Sequence, residues 1–273
     1  MKLAILKLGG STFSDKTEPL SYYANVVDRV ASEVARVVSE GIQVVVIHGG
    51  GSYGHPFVKA TEAAGIPPNT AFSLIHLLMH QLSLRIARSF FKAGLHPIII
   101  SPSTISYDSH PLYLWVKPVQ RALRSNLIPI LHGDAIPSER GYLIVSGDAI
   151  AAALAIHLQA ERLVFAMDAD GIYTENPKWS SSARLIPKLT PEDVQNLRFE
   201  ASTDVTGGVQ RKLQIACHVA KKGIPVLFIN ALVENRVYLA LKGQPVRCTL
   251  LVPNAQEKGR PPSSLPTRRR RSH

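Results

Sequence analysis

Five short stretches of the chain combine glycines with lysines, hydroxyls and carboxylates in a pattern able to handle phosphate. The first is Lys7-Leu8-Gly9-Gly10-Ser11, a lysine near the end of an apolar run, followed at once by a turn that can expose backbone N–H groups. One fixed positive charge beside a cradle of donors is what a transferring phosphoryl group requires. An ordinary strand-to-helix turn with a surface lysine is the alternative for this stretch taken alone. The second is Gly49-Gly50-Gly51-Ser52-Tyr53-Gly54-His55. Consecutive glycines lose more backbone entropy on folding than any other residue and pack nothing. They make sense in a tight turn without a ligand, or in a turn whose N–H groups hold an anion. His55 follows a turn later, where its ring can be directed at whatever the backbone holds.

The third and fourth stretches, Ser146-Gly147-Asp148 and Asp168-Ala169-Asp170-Gly171-Ile172-Tyr173, bring carboxylates to the same kind of place. Acids near a phosphate site would repel the ligand unless they fix lysines in position or hold Mg²⁺. For Ser146 or Asp148 a plain helix N-cap is the other reading. The fifth runs from Asp204-Val205-Thr206-Gly207-Gly208 to Lys212, glycines opening a helix with a lysine one turn inside, the logic of an anion site again. Neither GxxxxGK[ST] nor GxGxxG occurs.

The elements that must position these stretches alternate between apolar strands and helices, which points to an α/β fold with a largely parallel sheet covered on both faces. Strands are expected at Leu3–Leu8, Val44–Ile47, His96–Ser101, Ile128–Leu131, Leu163–Met167, Val226–Ile229 and Thr249–Val252. Leu112–Trp115 and Gly141–Val145 read as hairpin pieces. Valines at helical spacing predict a helix over Ser21–Ser39, and a second, apolar on more than one face, spans Thr70–Lys92. Helices are also expected over Gly147–Leu158 and from the fifth stretch to Lys222. Two glycine-rich turns after two early parallel strands would lie side by side at the carboxyl edge of the sheet, where open α/β sheets bind ligands.

Composition narrows the function classes. With 273 residues, 45% hydrophobic and 19% charged, the chain can bury a large core. No apolar run approaches the roughly 20 residues that cross a bilayer, and the N-terminus has no cleavage signal, so a cytoplasmic, membrane-free protein is expected. Cys217 and Cys248 form neither a disulfide framework nor a metal-ligand spacing, and are expected to be buried; no metal ligands are assigned. Of the net charge of +11, the last nineteen residues carry +5, through Lys258, Arg260 and Arg268 to Arg271 against Glu257. The body is therefore residues 1–253, and 254–273 reads as a basic, disordered tail. Without interleaved aromatics that tail argues poorly for a specific nucleic-acid partner.

Taken in order and spacing, the five stretches resemble the amino acid kinase superfamily. Gly50-Gly51-Ser52-Tyr53-Gly54-His55 and Ser14-Asp15-Lys16 look more narrowly like the isopentenyl phosphate kinase family, whose histidine the carboxylate-directed amino acid kinases do not carry. The resemblance implies an αβα sandwich around a mostly parallel sheet, a homodimer, and transfer of the γ-phosphoryl group of ATP, with Mg²⁺, onto isopentenyl phosphate to give isopentenyl diphosphate for isoprenoid biosynthesis. It implies that Lys7 and Lys212 contact the ATP phosphates, that Lys16 stabilises the transferring group, and that His55 hydrogen-bonds the acceptor phosphate beside backbone at Gly50 and Gly147. Asp148 joins these lysines and His55 among the catalytic residues, while Gly9, Gly10, Ser11, Gly51, Asp168 and Gly207 line the nucleotide side. An N-terminal part, about 1–160, would bind acceptor and a C-terminal part, about 161–253, nucleotide. The long apolar helix could wall a pocket for a short prenyl tail. Open alternatives are a related kinase acting on another phosphate or phosphonate, resembling fosfomycin kinase, and a non-catalytic nucleotide binder.

Overall fold

Side chains alternate across each strand, and in the first strand that alternation separates two cores from the start. The computed structural model describes residues 2–15, 17–105, 116–138, 141–197 and 208–253. Lys16, Gly207, the expected Leu112–Trp115 hairpin piece, most of the Asp204 turn and the basic tail lie outside the described residues.

The chain runs β1 (Lys2–Leu8), α1 (Gly10–Phe13), α2 (Ala24–Ser39), β2 (Ile42–His48), a 3₁₀ turn (Gly51–Tyr53), α3 (His55–Ala63) and α4 (Pro68–Lys92). Then come β3 (Pro97–Ile99), α5 (Pro102–Ile105), α6 (Lys117–Arg124), β4 (Ile128–His132), β5 (Asp134–Ser138), β6 (Gly141–Val145) and α7 (Gly147–His157). The remainder is β7 (Arg162–Met167), β8 (Lys188–Leu189), α8 (Pro191–Asn196), α9 (Gly208–Lys221), β9 (Val226–Asn230), α10 (Arg236–Lys242) and β10 (Cys248–Leu251). Eight strands form one sheet in the order β3-β4-β2-β1-β7-β9-β10-β8, parallel except where β10 meets β9. β5 and β6 make a separate antiparallel hairpin.

Leu3 and Ile5 of β1 point into one core, shared with Val45, Ile47, Phe165 and Phe228 and covered by α7 and α9. Ala4, Leu6 and Leu8 point into the other, with Val44, Val46, Val164 and Ile229, covered by α2, α4 and α10. The result is the sheet covered on both faces that the alternating pattern implied, and the αβα sandwich that the resemblance implied. Lys7 continues the Leu3–Ile5 face, which sends its chain toward α7 and α9. By the same parity His48, after Val44 and Val46, faces α4.

Gly141–Val145 is a hairpin piece as expected, and its partner is Asp134–Ser138, a strand that Gly133 and Pro137 hid by punctuating it like a loop. Two expectations need revision. The expected strand at His96–Ser101 is reduced to three residues. Cys217 is buried, but Cys248 is only half-buried, because it lies on a strand that carries just the short β8 beyond it.

Candidate functional site

Because β1 pairs in parallel with both β2 and β7, the turns after these strands emerge together at one edge of the sheet. Backbone bonds extend the ladder into them: Gly49 N–H donates to Leu8 O at 2.9 Å and Gly9 N–H to Ala166 O at 2.8 Å. The turns then touch. A Cβ on Gly10 would overlap the Cα of Gly51, whose own φ is +51°, and a Cβ on Gly50 would lie 2.8 Å from the Cα of Gly54. Glycine is thus required by close backbone approach at one position and by a left-handed conformation at the other. Ser14 locks the two turns: its Oγ donates to Gly10 O at 2.9 Å and accepts the Ser52 N–H at 3.0 Å. Sequence reasoning gave Ser14 no task, and its place beside Lys16 was the sole signal.

Lys7, Asp148 and Lys212 meet above this cradle. Lys7 Nζ lies 2.5 Å from Asp148 Oδ1, and Lys212 Nζ lies 2.6 Å from Asp148 Oδ2. Asp148 stands in the first turn of α7, which Ser146 caps by accepting the Ala149 N–H at 3.2 Å. Ser146 is therefore the N-cap, and Asp148 is free to bridge the lysines. Burial works to raise the Asp148 carboxyl, but the ammonium groups of Lys7 and then Lys212 outweigh it and hold it far below the usual carboxylate range. Burial, with Lys7 nearby, lowers Lys212 to about 8 while Asp148 supports its charge. The arrangement is two buried ammonium groups on one carboxylate, with net positive charge directed at a glycine cradle, chemistry suited to an anion.

On the β7 side, Asp168 accepts the Ser11 hydroxyl at 3.0 Å and pairs with Lys178 at 2.9 Å. Burial raises its carboxyl, Lys178 and Ser11 lower it, and the net direction is down. Asp170 is taken up structurally: it pairs with Arg236, with Arg247 at 2.6 Å, and accepts from Asn230 at 3.1 Å. It ties the turn after β7 to β9, α10 and β10.

On the other flank, His55 is exposed at the start of α3, directly after Gly54. Gly147 backs onto the end of β2, where an added Cβ would be 2.9 Å from His48 O. Ile75, Met79 and Ala135 form a small buried apolar cluster, with Val58, Phe72 and Tyr142 packed against it, between α3, α4 and the hairpin. The described site residues thus gather at one sheet edge, with Lys7, Asp148 and Lys212 in contact, Ser11 on Asp168, and His55 at the rim near Gly50.

With this geometry, the chain belongs to the amino acid kinase family, whose model matches residues 2–230. Like other members of that family it is an ATP-dependent kinase. It is similar to the isopentenyl phosphate kinases. It is 32% identical to that of Thermoplasma acidophilum over 90% of this chain and 94% of the relative. It is 29% identical to that of Methanothermobacter thermautotrophicus over 90% of this chain and 98% of the relative. A solved isopentenyl phosphate kinase structure superposes with a TM-score of 0.77 at 25% identity, covering 92% of this chain and all of the other. Among the described residues no helix is long and apolar enough to cross a membrane.

Proposed function

We propose that the chain transfers the γ-phosphoryl group of ATP to isopentenyl phosphate, giving isopentenyl diphosphate and ADP for isoprenoid biosynthesis. The observation that carries this reading is the Lys7–Asp148–Lys212 bridge over the Gly9-Gly10 and Gly50-Gly51 turns, flanked by His55 and the Ile75–Met79–Ala135 apolar cluster. Lys7, Lys212 and the N–H groups of Gly9, Gly10, Ser11 and Gly51 hold the ATP phosphates, with Asp168 and Gly207 on the same side. Lys16 neutralises the transferring group. His55 donates to the acceptor phosphate, with Gly50 and Gly147 backbone beside it, and the apolar cluster receives the prenyl tail. A phosphomonoester oxygen is already anionic near neutral pH, so alignment and charge neutralisation carry the step without a general base.

Asp148 and Asp168 are both engaged by lysines, so the site's own donors suit phosphate rather than a hard cation. Mg²⁺ accordingly arrives on the nucleotide. On this reading residues 1–160 chiefly serve the acceptor and 161–253 the nucleotide. Leu77, Leu84 and Phe91 recur every seven residues on α4 and are exposed, which supports a homodimer; sedimentation at the mass of one chain would exclude it. The direct test is ADP release against isopentenyl phosphate, dimethylallyl phosphate, fosfomycin, UMP, glutamate and acetylglutamate. Turnover concentrated on isopentenyl phosphate is expected, and activity confined to any other acceptor overturns the assignment.

A further inference from the structure

Beside the phosphate site, on the α4 side of the sheet, four histidines and a carboxylate pack in a row. His48 and His132 end β2 and β4 in register and stack with ring centroids 5.5 Å apart. His80 sets its ring edge-on to His132 at 5.2 Å, and His76 lies 4.4 Å from His80. Asp134, the first residue of β5, has a wholly buried side chain, and its Oδ2 meets His76 Nδ1 at 2.9 Å. One nitrogen each of His76 and His80 and a carboxylate oxygen of Asp134 all lie within 4.8 Å of one another.

Three features separate this group from ordinary core packing. A buried carboxylate is costly without a full countercharge, yet the groups that face Asp134 are imidazoles, the Ser101 hydroxyl at 3.3 Å and the Ala135 N–H at 2.8 Å. His80 Nε2 is buried with no hydrogen-bond partner among the described residues. His76 and His80 are four apart on α4, which stacks them on one helix face, the spacing with which helices present paired imidazoles to a metal. The Ser101 and Ala135 donors already orient the carboxylate, as outer partners of metal ligands do.

We propose that His76, His80 and Asp134 form a binding site for a borderline divalent metal ion of the Zn²⁺ type, distinct from the Mg²⁺ carried by ATP. Two imidazoles and a carboxylate are ligands for such an ion, whereas Mg²⁺ prefers oxygen alone. Three protein ligands leave a coordination position open. The ion ties α4 to the β5–β6 hairpin, the two elements that flank the apolar cluster. The site is built from these side chains alone and is the same for any acceptor.

The test uses the full chain without an affinity tag, stripped by a chelator, dialysed free of it and titrated with Zn²⁺ and with Co²⁺. Expected are about one Zn²⁺ per chain retained against excess Mg²⁺, and visible Co²⁺ ligand-field bands. His80→Gln and His76→Asn should each lower Zn²⁺ affinity by about tenfold or more and abolish the Co²⁺ bands, while His218→Gln changes neither. Circular dichroism confirms that each variant is folded, and should one fail, the other carries the comparison. Zn²⁺ uptake below about 0.1 equivalent at micromolar free ion, or wild-type uptake by folded His80→Gln and His76→Asn, overturns the site.

Discussion

Replacing Asp148 with asparagine should make nucleotide binding depend on pH in a way the wild-type protein does not. Asp148 sits 2.6 Å from Lys212, a buried amine already lowered to about 8. At the effective dielectric of about 20 that suits partly buried charges, a unit charge about 4 Å away contributes roughly 4 kcal/mol. That is about three orders of magnitude in the acid constant. Without the carboxylate, Lys212 therefore falls well below 8 and is mostly neutral at pH 7.5. A lysine is charged below its pKa, so phosphate affinity is present in acid and lost as pH rises. The wild type loses Lys212's contribution above about pH 8, the variant at a distinctly lower pH. The assay is calorimetric ADP binding, read as the ratio of variant to wild-type Kd at each pH so that titration of the nucleotide cancels. The ratio should be within a factor of about five at pH 5.5 and about a hundredfold at pH 7.5. A ratio that stays flat across that range, with the variant folded, would refute the claim that Asp148 keeps Lys212 charged.

Other perturbations separate the parts of the site. Gly10→Ala forces a methyl group onto the backbone of Gly51 and must part the two turns, so kcat/KM for ATP should fall by about a hundredfold or more in steady-state kinetics, and the melting temperature should fall with it. His55→Ala should raise the acceptor KM or lower kcat by about tenfold or more and leave ATP binding nearly unchanged, and wild-type kinetics would remove His55 from the acceptor site. His48 is buried neutral, its pKa lowered to about 4 by burial and by Lys7 against the raising effect of Gly49 O. Its unfolded form binds a proton below about 6.5 and its folded form does not, so its contribution is intact above that pH and is lost as pH falls toward 4. Relative to His48→Gln, the wild type should lose roughly 3 kcal/mol of stability between pH 7 and pH 4, measured by urea unfolding; parallel pH curves would contradict the assignment.

How much of this was legible in the sequence differs between the strands and the spaces between them. The apolar runs of β1, β2, β4, β7 and β9 declared themselves because buried parallel strands are apolar on both faces, and the glycine turns declared themselves by composition. That acids near a phosphate cradle must either fix lysines or hold Mg²⁺ followed from charge, and Asp148 takes the first course, standing between Lys7 and Lys212. The helices α3, α6, α8 and α10 were too short to show a period. The histidine row was invisible because its members come from β2, β4 and α4, and adjacency there depends on the register that pairs His48 with His132. Ser14 was hidden for the same reason, since it acts between two turns that only the sheet brings together.

Asp148 and Asp134 show how the cost of withdrawing a carboxylate from water is met differently on the two sides of this sheet. At Asp148, ammonium groups outweigh desolvation, and because one carboxylate serves two lysines the site keeps about one unit of positive charge for an incoming phosphate. At Asp134, burial raises the carboxyl to about 6, with His76 offsetting only part of that rise. A carboxylate whose neighbours are imidazoles rather than lysines is held near the point where it gives up its charge. The His76–His80–Asp134 grouping offers donors that suit a cation imidazoles can also ligate, whereas the Asp148 site is already supplied with cations and calls for an anion. The parity of β1, β2 and β4 sets this division, sending Lys7 to the α7–α9 face and His48 and His132 to the α4 face.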